Sequence, residues 1–152
     1  MPYGVYLYSM ATNEREADSE ANFMAEILGG RKPKYGAFID IEDTKVYNKD
    51  LGNIYSPSVR RKITDLTKRI VNGLKSKGIT AGIYASESYF NSVLYNNELE
   101  GIRWIARYYT NTSDDKNGLP INYDWKIWQY SSVGRVNGIG TSVDMNTLIS
   151  EY

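Results

Sequence analysis

The feature that most constrains this chain is its alternation of short apolar, β-prone runs with stretches whose apolar residues recur at helical spacing. Residues 4–9 (GVYLYS), 35–41 (YGAFIDI), 79–85 (ITAGIYA), 102–108 (IRWIARY) and 126–131 (KIWQYS) read as buried strands. Between the first two, Thr12 or Asn13 caps a helix running to about Leu28. Its apolar positions Ala17, Ala21, Met24 and Leu28 fall on one face, and Gly29-Gly30 ends it. Residues 43–55 read as irregular. Ser56-Pro57 then opens the longest helix, with Val59, Ile63, Leu66, Ile70 and Leu74 in one stripe and Gly78 as the stop. Arg60, Arg61, Lys68 and Arg69 read as its solvated face. Ser86 or Ser88 opens a short helix carrying Tyr89, Phe90, Val93 and Leu94. Residues 110–120 form a polar loop, 134–140 a tight turn, and 143–145 a last short strand followed by a helical turn.

Such β-α-β-α-β-α-β order is that of a parallel sheet with helices outside it. It fits an open doubly wound sheet or a barrel. At 152 residues the chain is one domain, long enough to bury roughly two thirds of its unfolded surface without a staple. No repeat or linker marks a second domain.

Two absences narrow the chemistry. The chain has no cysteine, which excludes disulfides, thiol catalysis and cysteine-bound zinc. It has no histidine, which excludes a Ser-His-Asp triad and histidine-bound zinc. Proton transfer must therefore fall to Asp, Glu, Lys or Tyr. Eighteen basic residues balance eighteen acidic ones, without the excess of positive charge usual in nucleic-acid binders. No apolar run approaches the roughly 20 residues of a membrane span. The start, Met1-Pro2-Tyr3-Gly4, does not read as a signal peptide. No glycine-rich phosphate loop follows a strand, which disfavours a nucleotide-binding reading. The 14 tyrosines suit either a β core or a cleft that stacks on sugar rings and hydrogen-bonds their hydroxyls.

The chemical centre of the sequence is Ile39-Asp40-Ile41-Glu42-Asp43. On a strand, side chains alternate faces, so Asp40 and Glu42 share one and the isoleucines the other. Their α-carbons should stand about 6.6 Å apart. Two carboxyl groups this close cannot ionise independently, so one holds its proton to higher pH, as a general acid must. The pair also ends a strand, where parallel barrels place their sites. A lone D-x-E is common and also reads as an acidic strand end feeding a loop. The apolar run before it favours the chemical reading, because carboxylates ending a buried strand are costly.

Several segments in order resemble family 25 glycoside hydrolases, the Chalaropsis-type lysozymes of bacteria, fungi and bacteriophages. They are Gly4-Val5-Tyr6-Leu7-Tyr8, Ile39-Asp40-Ile41-Glu42, Gly82-Ile83-Tyr84-Ala85-Ser86, Trp104-Ile105-Ala106-Arg107-Tyr108, Ile127-Trp128-Gln129-Tyr130-Ser131 and Val143-Asp144-Met145-Asn146. The resemblance implies an incomplete TIM-like (β/α) barrel, with short antiparallel strands near the C-terminus. It implies hydrolysis of the β-1,4 bond from N-acetylmuramic acid to N-acetylglucosamine in peptidoglycan, as in an endolysin. Glu42 matches the proton donor and Asp40 the supporting carboxylate. Asp144 matches a further acid of the cleft, and Tyr8 and Tyr84 match tyrosines near the acetamido pocket. No metal or cofactor is implied. After protonation, a carboxylate nucleophile, a water or the substrate's own acetamide completes the reaction.

Trp104 and Trp128 read as rim residues or barrel core, and Tyr108 and Tyr109 as cleft or loop. The family's opening strand, with a further aspartate in a G-[IV]-D-x-S context, has no match here. Relative to the family, residues 1–152 therefore read as one catalytic domain truncated at its N-terminus by one to two strand-helix units. Two classes of function follow: an active glycosidase acting on the bacterial cell wall, or a weak or inactive module that binds glycan or another chain. Unpaired strand edges leave three outcomes, closure of the remaining strands on themselves, cover by solvent, or pairing with a second copy, and the apolar first strand favours self-association into a homo-oligomer.

Overall fold

The computed structural model describes residues 1–108 and 125–148. Six strands form one sheet in chain order: β1 (Val5–Tyr8), β2 (Ala37–Asp40), β3 (Ala81–Ser86), β4 (Ile102–Ala106), β5 (Trp125–Gly134) and β6 (Val143–Leu148). The first five run parallel, and β6 returns antiparallel to β5. The sheet curls into a half-barrel: residues of β1 (Val5, Tyr6) and β6 (Thr147, Leu148) line one inner cavity of about 260 Å³. The expected incomplete barrel with an antiparallel end is therefore present.

Helix α1 (Glu14–Leu28) joins β1 to β2. Asn13 caps it by accepting a hydrogen bond from the Glu16 amide, and Gly29 ends it in the left-handed conformation that favours glycine. Helix α3 (Pro57–Ser76) joins β2 to β3, with Pro57 in its first turn. The short helix α4 (Glu87–Ser92) follows β3, capped by the Ser86 side chain. The apolar stripes of α1 and α3 pack on the outer face of the sheet against Ala37, Ile39, Ala81, Ile83 and Ile105. The basic residues Arg61 and Arg69 of α3 lie on a solvated face, as expected, and make ion pairs there. Arg69 bonds Asp18 and Glu14 of α1, and Arg61 makes a two-pronged contact with Glu98.

Two sequence expectations change. Residues 43–55 are not wholly irregular: helix α2 (Thr44–Asp50) forms there. The Asp43 carboxylate accepts from the Val46 amide and so satisfies one of the four free N–H groups at a helix start, while Tyr47 anchors the helix in the core. The last strand runs to Leu148, so residues 146–148 extend β6 where a helical turn was expected. The polar loop 110–120 and Tyr109 lie outside the described residues.

The inner face carries a second apolar cluster of Phe38, Tyr84, Ala106 and Ile127, with Trp104 packed on it. Gly82 is required there. A β-carbon at this position would sit 2.5 Å from the Phe38 ring and 2.8 Å from the Ile102 carbonyl oxygen. This cluster fills the bottom of the half-barrel and leaves the carboxyl ends of the strands open. No helix among the described residues is long and apolar enough to cross a membrane.

Candidate active site

At the carboxyl ends of β1 to β5 lies a cleft of about 290 Å³ that gathers three carboxyl groups, Asp40, Glu42 and Asp144. Asp40 is the last residue of β2 and Glu42 follows two positions on, so strand alternation turns both inward. Asp144 reaches the same cleft from β6, because the antiparallel return brings the chain back across the mouth of the half-barrel. Tyr8, Tyr84, Trp104 and Gln129 complete the wall. A wider groove of about 780 Å³, lined by Arg60, Tyr95, Gly101 and Arg103 among others, lies at the amino end of β4. Parallel barrels place chemistry at the opposite end of their strands, and the acids are there.

Asp40 and Glu42 differ in environment. Asp40 is 6% exposed, and its Oδ1 is sealed from solvent without a hydrogen-bond partner among the described residues. Burial, and then the charge of Glu42, push its carboxyl up to about 7. Glu42 is exposed to the cleft. Its carboxyl is also raised, by burial first, then by Asp144 and Asp43. The sequence pairs Asp40 with Glu42 as mutual perturbers. The structure gives Asp40 the large rise, because it is the deeper of the two, and brings Asp144 up to Glu42.

The aromatic residues fall into two sets. Tyr84 and Tyr108 both donate their hydroxyls to the Gln129 Oε1, at 2.9 and 2.5 Å. Trp104 forms the floor: its ring meets Phe38 and Tyr84 edge-on, with centroids 5.3 and 4.9 Å apart, and its indole N–H donates to Asn146 Oδ1 at 2.8 Å. Tyr8 stands at the end of β1, and burial together with the nearby Asp43, Glu42 and Asp40 pushes its hydroxyl up. Trp128 does not join them. It points to the outer face, packs with Trp125 and donates its indole N–H to the Arg107 carbonyl. Alternation decides this: Ile127 and Gln129 face inward, so Trp128 faces away from the cleft.

Gln129 is the functional candidate that the sequence reading passed over. The available signal was its place opposite Trp128 on β5, but both faces of that strand carry large apolar residues. Behind Tyr8, Ser9 donates to Glu20 of α1 at 2.7 Å, and the Met10 amide donates to the same carboxylate, which fixes the loop leaving β1. Among the described residues, no group of three or more acidic side chains is placed to hold a metal ion.

Comparison with known proteins gives consistent results. Residues 1–139 match the model of glycosyl hydrolases family 25. The uncharacterized protein YegX of Escherichia coli O157:H7 is 25% identical over 130 residues, which cover 86% of this chain and 42% of that protein. The chain thus spans about two fifths of the length of the curated relatives it matches. Among solved structures, the catalytic domain of endolysin ply40 from bacteriophage P40 of Listeria monocytogenes superposes with a TM-score of 0.74 at 28% identity, over 99% of this chain and 68% of that one. The modular autolysin LytC of Streptococcus pneumoniae, solved with a synthetic peptidoglycan ligand, gives 0.71 at 26% identity, over 95% of this chain and 33% of that one.

Proposed function

This chain belongs to glycosyl hydrolases family 25, and on that premise we propose that it is the catalytic part of a lysozyme-type enzyme that cleaves the glycan of bacterial peptidoglycan. The observation that carries the reading is the meeting of Asp40, Glu42 and Asp144 in one aromatic-walled cleft at the carboxyl ends of the strands. Likeness to an endolysin catalytic domain and to an autolysin solved with a peptidoglycan ligand supports the choice of substrate.

In this reading Glu42 is the general acid. Its carboxyl faces the open cleft, where a leaving oxygen can reach it, and its proton is retained by burial and by the charges of Asp144 and Asp43. The proton passes to the glycosidic oxygen as the bond to the anomeric carbon breaks, and the bonding electron pair leaves with that oxygen. The substrate's acetamide carbonyl oxygen then closes on the anomeric carbon, and water, losing a proton back to Glu42, opens that ring. Asp40, deeper in the wall, steadies the acetamide and, in its ionised form, the positive charge that develops. Trp104 and Tyr84 provide the surface on which a sugar ring packs. The bond cut is the β-1,4 link from N-acetylmuramic acid to N-acetylglucosamine.

End-group analysis of digested cell walls tests this. Borohydride reduction after digestion should label muramic acid as the new reducing end. New glucosamine ends, or new amino groups without new reducing ends, would contradict the reading. Residues 1–152 are read as one catalytic domain, and they act on the wall without a cofactor.

A further inference from the structure

The cleft is rich in oxygen atoms that accept hydrogen bonds and poor in groups that donate them. Its three carboxyls accept when ionised. The Trp104 indole N–H is committed to Asn146. The hydroxyls of Tyr84 and Tyr108 are committed to Gln129 Oε1. Gln129 itself is 2% exposed. The Tyr108 contact assigns the oxygen end of the carboxamide, because 2.5 Å lies at the short limit for O–H to oxygen and is too short for a nitrogen donor. The Gln129 amide nitrogen is therefore turned away from the tyrosines. Among the described residues it makes no hydrogen bond, yet it is not sealed from the cleft. It is the one uncommitted side-chain nitrogen donor among the described residues that line the cleft.

We propose that Gln129 is a specificity-determining residue of this cleft, whose amide N–H₂ receives the carbonyl oxygen of a sugar's acetamido group. An acetamido group carries one N–H and one carbonyl. An ionised carboxylate of the wall can accept the first, and a fixed donor such as the Gln129 amide answers the second. A sugar with a hydroxyl in place of the acetamide ends two bonds short of the carbonyl oxygen, so its acceptor does not reach that donor and leaves it unpaired, which is how a polar site rejects an analogue. Tyr84 and Tyr108 act as positioning residues: they hold the carboxamide in the orientation that presents nitrogen to the ligand.

This inference rests on the glycan-cleaving reading above, and its test separates the two. Calorimetry would measure binding of the N-acetylglucosamine tetramer and of cellotetraose, both uncharged and β-1,4-linked, to the full chain. The wild type should prefer the acetylated ligand. Gln129→Met, neutral and of similar volume, should reduce that preference about tenfold, the worth of one such hydrogen bond. Gln129→Glu keeps an oxygen for the tyrosines and removes the donor, so it should do the same if the Met variant fails to fold. A loss of affinity for both ligands alike would mark a structural role and overturn the proposal. So would an unchanged preference in a folded variant that still digests cell walls. A wild type that neither binds these ligands nor digests walls would overturn the glycosidase reading and this inference with it.

Discussion

Removing the Asp40 charge should stabilise the folded chain above neutral pH. Asp40 is almost fully buried, has one oxygen without a partner among the described residues and holds its proton to about 7. In the unfolded chain an aspartate ionises near 4. Because the folded form binds the proton more tightly, stability is greatest below pH 4 and falls as the pH rises towards 7. The gap corresponds to a ceiling of about 4 kcal/mol, reached above pH 7. Relaxation around the ionised carboxyl should leave roughly half of it. Asp40→Asn keeps the shape and cannot ionise. Urea unfolding of both proteins at pH 4, 5.5, 7 and 8.5 reads the difference directly. The variant's advantage should be smallest at pH 4 and should grow by about 2 kcal/mol by pH 8.5. A difference that does not change with pH, or a wild type that gains on the variant as pH rises, would refute the claim that Asp40 is buried without compensation.

Asp144→Asn should move the alkaline limb of the activity profile to lower pH, because after burial Asp144 is the charge that raises Glu42 most and the acid must be protonated to act; a limb that stays in place would contradict that coupling. Gly82→Ala should cost about 1–3 kcal/mol in chemical denaturation, since the added carbon meets both the Phe38 ring and the Ile102 carbonyl; a stability within experimental error of wild type would show that the strands can part there. Among the described residues β1 pairs only with β2, and β1 is apolar and tyrosine-rich, so the chain should self-associate at micromolar concentration in light scattering; a monomer whose Val5–Tyr8 amides are protected from exchange would contradict this.

Much of the site could be read in the sequence, because strand alternation is a rigid rule. It turned Asp40 and Glu42 to one face; the structure adds that Asp40, Tyr84 and Trp104 stand side by side in adjacent strands. What stayed hidden depended on which face of a strand becomes the inside. On β5, Trp128 belongs to the cluster behind the sheet and Ile127 to the cluster on the inner face, and nothing in the strand's own pattern says which of the two is the inside. Trp128 therefore left the expected site and Gln129 entered it. The depth difference between Asp40 and Glu42 was hidden for the same kind of reason: it arises from neighbours on β3, β5 and β6. Helix α2 was missed because seven residues with one buried anchor, Tyr47, show no period; its signal was the cap at Asp43.

The most direct test of the central claim is cell-wall clearing by the chain with and without the Glu42 carboxyl. Glu42 is exposed and its side chain makes no hydrogen bond among the described residues, and its ionised carboxyl is disfavoured in the fold, so Glu42→Gln should not lower the thermal unfolding midpoint. If Glu42 is the general acid, the variant should clear a suspension of purified walls at least about a hundredfold more slowly than an active wild-type preparation. A folded Glu42→Gln protein that clears walls at the wild-type rate would contradict the assignment.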